Sequence, residues 1–135
     1  MNDRAESVAD PNRLDARMVS LLKASGPINV VGALIFAPPL PWVRQIFGLP
    51  DGHELYLWVM SAWILAFGIG YWSLGVSGRA DRTFLAVGAA GKASFALVLI
   101  ALAGAGRLSP LAAVVGLPDL VIAGMFASWL ARTRG

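Results

Sequence analysis

Residues 83–103 read TFLAVGAAGKASFALVLIALA, a stretch with a single charge, Lys92, near its middle. A helix rises about 1.5 Å per residue, so about 20 mostly apolar residues cross a hydrocarbon core about 30 Å thick. A helix that is apolar on every side also has no wet face, which removes it from the surface of a soluble domain. The stretch therefore reads as a membrane span. Three further windows have the same character: residues 18–37, 55–74 and 111–131.

The first of these needs a choice of frame. Residues 18–37 are apolar apart from Ser20, Lys23, Ser25 and Asn29, with Pro27 inside. A frame of 26–47 would instead carry Pro38, Pro39, Pro41 and Arg44 into the bilayer. Proline removes a backbone donor and turns the residue before it away from helix, so a Pro-Pro pair ends a span more naturally than it continues one. Span one is thus placed at 18–37, with Lys23 reaching to the nearer surface. Residues 41–49 then form a short interfacial helix in which Trp42, Val43, Ile46 and Phe47 dip into lipid while Arg44 and Gln45 face outward. Residues 1–17 are read as a polar tail and helix start, and residues 18–135 as the four-span domain. Residues 1–9 are expected to be mobile, and Asp10 and Pro11 to open an amphipathic helix that runs into the first span. The acidic, polar beginning is unlike a signal peptide.

Composition agrees with the spans. Of 135 residues, 57% are hydrophobic and 14% charged, against about 25% charged in a soluble domain. So few charges also argue against disorder and nucleic-acid binding. The absence of cysteine removes disulfides, thiol nucleophiles and Cys-based metal sites, and a single histidine, His53, makes a His-ligated metal improbable. His53 reads as a solvated loop residue. No Ser/His/Asp set, carboxylate pair or haem-ligand pair is present, and the sequence asks for no cofactor.

Orientation follows from lysine and arginine beside the spans. Arg4, Arg13, Arg17, Lys23, Arg79, Arg82, Arg132 and Arg134 fall on one side, while only Arg44 and Arg107 fall on the other. Both termini are therefore expected in the cytoplasm. Helices in lipid associate through close approach at small residues, and three seams offer themselves: Ala62, Ala66 and Gly70; Ala86, Ala90 and Ser94; Ala123, Ala127 and Ala131. Short loops make neighbours antiparallel, so the expected fold is an all-α antiparallel bundle of four transmembrane helices.

Two ionisable residues lie deep in these spans, Lys92 and Asp119, each at a cost of about 2.5–3.5 kcal/mol. Spans three and four form a hairpin that turns within residues 104–109. The midpoint of positions 92 and 119 falls inside that turn, so the two side chains sit at matching depth. Asn29 lies at similar depth in span one, and Tyr71 in span two can reach inward. Pro27 and Pro118 each free a backbone carbonyl that a polar cluster could satisfy. Asn29, Tyr71, Lys92 and Asp119 are thus a buried polar cluster with three readings: a pin that fixes helix register, the polar end of a ligand site, or a proton- or ion-coupling centre.

The positions Asn29-x-x-Gly32, Phe36-x-Pro38, Phe47-Gly48-Leu49-Pro50, Gly68-x-Gly70-Tyr71-Trp72, Gly91-Lys92 and Asp119 resemble small bacterial four-helix membrane proteins of the DoxX-like families, over residues 18–132. The resemblance implies a four-span bundle with Asn29, Lys92 and Asp119 as signature positions, and a bacterial inner membrane is the expected location. DoxX proteins themselves are linked to quinone-coupled thiosulfate oxidation with a partner subunit. No residues here match a quinone or substrate motif of that family, and the Pro-Pro-Leu-Pro stretch departs from its pattern, so the activity does not carry over. The leading expectation is a small structural or accessory protein of the bilayer, with a membrane partner subunit or as a homo-oligomer. The alternatives are a binder or carrier of a lipophilic ligand such as a quinone or isoprenoid, and a membrane-embedded isomerase or cyclase.

Overall fold

A computed structural model of the chain describes residue 10 and residues 12–133; the expected mobile tail at 1–9 and Pro11 lie outside the described residues. Five helices follow in order: α1 (Ala16–Phe36), α2 (Pro41–Ile46), α3 (Glu54–Ser77), α4 (Arg82–Gly104) and α5 (Pro110–Arg132). All but α2 are long and apolar enough to cross a membrane, and each contains one of the windows read from the sequence to within a turn. Most large outward-facing side chains are apolar, Val76, Val121 and Trp63 among them, as expected of a surface solvated by lipid.

Side-chain caps set most of the boundaries. Asp15, Asp81 and Ser109 accept from the backbone N–H of Met18, Phe84 and Leu111, and His53 Nδ1 accepts from Leu55 N–H. The expected amphipathic helix from residue 11 is absent over residues 12–15, and α1 begins at Ala16. The backbone there is spent on the α3–α4 turn: Leu14 N–H donates to the Gly78 carbonyl (3.0 Å) and Ala80 N–H to the Asn12 carbonyl (2.7 Å). Gly78, at φ 67°, supplies the left-handed residue that ends α3. At the same end Arg82 donates to Thr133 Oγ1 (2.6 Å) and to the Leu130 carbonyl (2.8 Å). The starts of α1 and α4 and the ends of α3 and α5 are therefore tied together.

At the opposite end α2 is shorter than expected, because Gly48 turns at φ 64° and Leu49 N–H closes back onto the Arg44 carbonyl (2.9 Å). Arg44 also overturns its expected outward orientation. Its side chain is only 3% exposed, donating to the Ala37 carbonyl (2.9 Å) and pairing with Asp51 (3.3 Å). The chain leaves α1 through Pro38 and Pro39, which offer no N–H, and a folded-back guanidinium supplies a donor there.

The helices pack as two close pairs, α1 on α3 and α4 on α5. Gly68 permits the first approach: a Cβ there would lie 2.7 Å from Asn29 Cβ and 3.2 Å from the Gly26 carbonyl. Gly75 meets Lys23 in the same way, and Ser61 Oγ donates across to the Ala33 carbonyl (2.8 Å). In the second pair Gly116 faces Ala96, where an added Cβ would stand 2.9 Å from Ala96 Cα. These contacts replace most of the expected seams, since Ala62, Ala66, Ala86, Ala90, Ser94, Ala127 and Ala131 are exposed and Gly70 instead meets the Phe84 ring of α4, while Ala123 of the third seam is buried. The cause lies in the polar side chains. Asn29, Ser61 and Lys92 must face inward, and residues three, four and seven away, including Gly68, Ala96 and Ala89, turn inward with them.

Two apolar clusters join the pairs. One, toward the termini, packs Leu22, Tyr71, Leu85, Phe126 and Trp129; the other, toward α2, packs Ile35, Phe36, Leu49, Leu57, Leu99 and Ala112. Phe84 stacks on Phe67 at 5.3 Å between centroids and braces α3 against α4 at the first end.

The glycines separate packing from propensity. Gly68→Ala should lower stability by about 1–3 kcal/mol through overpacking. Gly91→Ala, where an added Cβ meets nothing within 4 Å, should raise it by up to about 1 kcal/mol through helix propensity. Unfolding by dodecyl sulfate in mixed micelles checks both signs.

Candidate functional site

Between the two apolar clusters, side chains from three helices meet at the Lys92 ammonium, and one of them reaches on to a carbonyl of a fourth. Lys92 Nζ donates to Asn29 Oδ1 of α1 (2.8 Å) and to Asp119 Oδ1 of α5, with which it forms an ion pair. Asn29 Nδ2 donates in turn to the Ile64 carbonyl of α3 (2.9 Å). Lys92 is 7% exposed and Asn29 5%, so the network is deep inside the protein. The equal depth of positions 92 and 119 in the α4–α5 hairpin is thus realised as a contact.

Tyr71 joins through its ring. The Lys92 ammonium stands 5.5 Å from the ring centroid, within cation–π range. Phe126 and Phe84 hold that ring at 5.3 and 5.5 Å between centroids, and Gly88 lets the hydroxyl lie against the α4 backbone. Among the described residues the hydroxyl has no hydrogen-bond partner, although Tyr71 is 1% exposed. All four residues singled out from the sequence are therefore brought together. The role expected of them toward the prolines is not seen: none of their side chains donates to the Lys23 or Val114 carbonyl freed by Pro27 and Pro118. The Asn29 amide instead crosses to α3, where the absent side chain of Gly68 lets the backbones meet.

A cavity of about 510 Å³ adjoins the cluster, between the α1–α3 pair and the α4–α5 pair. Asn29, Tyr71, Lys92 and Asp119 are its polar lining; the remaining walls are aliphatic and aromatic, with Phe36, Phe47 and Phe95 toward the α2 end. Several lining residues are also exposed on the outer surface, including Ile28 and Val31 on α1, Trp63 on α3 and Val114 on α5. The cavity consequently opens sideways, toward the zone where lipid chains would lie. Trp63 faces that zone, 63% exposed.

Sequence reasoning did not anticipate the apolar walls, yet their signal is regular. On α4 the lining is Gly88, Gly91, Lys92 and Phe95, and on α5 Leu111, Val114, Val115 and Pro118. Both sets follow the i, i+3, i+4, i+7 spacing of one helix face. Counting along that face from Lys92 would have found the α4 wall. Among the described residues no three His, Asp or Glu side chains converge as metal ligands would.

No protein-family model matches the chain, and neither a curated protein nor a solved structure is detectably similar to it.

Because Lys92 and Asp119 are buried partners, removing one strands the other. Lys92→Met should destabilise by about 3–5 kcal/mol. Adding Asp119→Leu should restore most of that loss, leaving a deficit of about 1 kcal/mol for the Asn29 carbonyl that no longer has a donor. A double-mutant cycle read by dodecyl sulfate unfolding checks both steps.

Proposed function

We propose that the protein is a small integral membrane protein that binds a lipophilic small molecule in the cavity beside Lys92 and Asp119. The observation that carries this reading is the cavity itself. A register pin needs only a closed ion pair. Here about 510 Å³ is left open directly against the pair, within the range of about 300–1,000 Å³ for small-molecule sites. Apolar walls with a few convergent polar groups at one end suit a ligand with a hydrocarbon body and a polar head, such as an isoprenoid or a quinone-type molecule. The lateral opening suits arrival from the bilayer.

The pin and the site are the same residues in this reading, with the ion pair holding the helices and its uncovered side meeting the ligand. Lys92 spends two of its three donors within the protein, which suits it to orienting a ligand more than to proton transfer, and favours binding over isomerase or cyclase chemistry. We further propose an antiparallel four-span bundle in a bacterial inner membrane with both termini cytoplasmic. The basic side chains Arg13, Arg17, Arg79, Arg82 and Arg132 at the end where α1 and α4 start and α3 and α5 finish support this orientation, and the resemblance to DoxX-like proteins agrees with it. A role as an accessory subunit of a larger complex is the second reading, favoured by the broad apolar outer surface.

Native mass spectrometry of the protein released gently from its own membrane distinguishes the two. A stoichiometric small-molecule adduct is expected, lost in Gly91→Phe, which fills open space in the cavity wall. A bare protein that leaves the membrane with a defined second subunit would replace the binder reading by the accessory one.

A further inference from the structure

We infer that the cavity selects an uncharged ligand whose head is a hydroxyl group, an alcohol or phenol, over anionic and fully capped relatives; this rests on the binder reading above. The argument is an inventory of charge and of unused hydrogen-bonding capacity. Lys92 and Asp119 pair within the cluster, and Asn29 and Tyr71 are neutral, so the site carries no net charge. A carboxylate or phosphate head would add an unpaired buried charge, as would a quaternary ammonium, and buried charges without partners are strongly disfavoured.

The unused valences then specify the head. Asp119 gives Oδ1 to Lys92, while its Oδ2 takes no hydrogen bond among the described residues, and the side chain remains 22% exposed. Lys92 has a third N–H beyond those given to Asn29 and Asp119. The Tyr71 hydroxyl, on the cavity wall, makes no hydrogen bond among the described residues, although tyrosine hydroxyls in such places usually find a partner. The set therefore asks the ligand for a donor toward Asp119 Oδ2 and an acceptor toward Lys92 or Tyr71. A hydroxyl provides both from one atom. An ether, ester or quinone carbonyl only accepts and would leave the carboxylate oxygen unmatched in a dry site.

Three probes with one prenyl chain test this: farnesol, farnesyl methyl ether and farnesoic acid, offered in equimolar mixture to the full chain in micelles and read as adduct ratios by native mass spectrometry. Farnesol is expected to exceed each of the others by about tenfold or more, the scale of one unmatched buried polar group. Farnesyl hydroquinone against farnesyl quinone repeats the comparison with an aromatic head on the same chain. Asp119→Asn leaves Lys92 unneutralised and should turn the preference toward farnesoic acid. Tyr71→Phe, which keeps the charge balance, should reduce the farnesol advantage several-fold.

Equal binding of alcohol and ether, or preference for the acid in the unmodified chain, would overturn the hydroxyl assignment while leaving a binding cavity. Failure of every probe to form an adduct would overturn the binder reading together with it. Because the three-probe comparison uses the unmodified protein, it decides the matter even if the Asp119 variant does not fold.

Discussion

The Lys92–Asp119 pair is the constraint around which the rest of the protein is arranged. A lone ammonium or carboxylate at that depth in hydrocarbon would be expelled toward the surface or lose its charge. Neither side chain can be placed without the other, so α4 and α5 are held in one register and one rotation. Asn29 extends the constraint to α1 and, through the Ile64 carbonyl, to α3. Lipid provides little hydrophobic drive for helix association, and here the polar contacts decide which faces meet while glycines decide how closely. Gly68 and Gly116 act as complements to the pair: they allow the backbones to approach where the polar side chains have fixed the faces.

What was legible in the sequence follows from which physical rules are local. Span lengths are local, because hydropathy over a window of about 20 residues needs no neighbour, and α3, α4 and α5 fall where their windows lie. The equal depth of residues 92 and 119 was legible because a hairpin converts sequence distance from its turn into depth; that they face each other was not. Helix rotation was not legible from the spacing of alanines. The chain has small residues on several faces, and Ala86, Ala90 and Ser94 make as regular a stripe as the buried Ala89 and Ala96. The polar side chains hold the missing information, since they are the groups for which facing lipid is most costly.

The other departures have a common origin in backbone groups left without partners. Residues 12–14 do not extend α1, because their carbonyl and N–H groups serve the α3–α4 turn, a partner more than 60 positions away in the chain. Arg44 does not point outward, because α1 ends at a Pro-Pro segment that supplies no donors. An amphipathic pattern sees Arg44 as a charge to be solvated. The structure treats it as a set of donors for a carbonyl that water would otherwise have to satisfy. Both cases are non-local satisfaction of the backbone, which a window of residues does not contain.

The cavity and the ion pair also act on each other. Lys92 is shielded on the side of Asn29 and Tyr71, whereas Asp119 keeps part of its carboxylate open to the cavity. A ligand head seated there would complete the hydrogen bonding of that carboxylate and exclude water from the pair, and electrostatic attraction strengthens as the local dielectric falls. On the binder reading, occupancy would favour the arrangement that builds the site, since a ligand that binds only the folded bundle stabilises it by mass action. Gly91 belongs to the same logic. Alanine would serve the α4 helix better, and nothing within 4 Å of a Cβ would object, so local stability does not account for the glycine. On the binder reading, its place on the cavity wall beside Lys92 leaves free the space in which a ligand and the ion pair would meet.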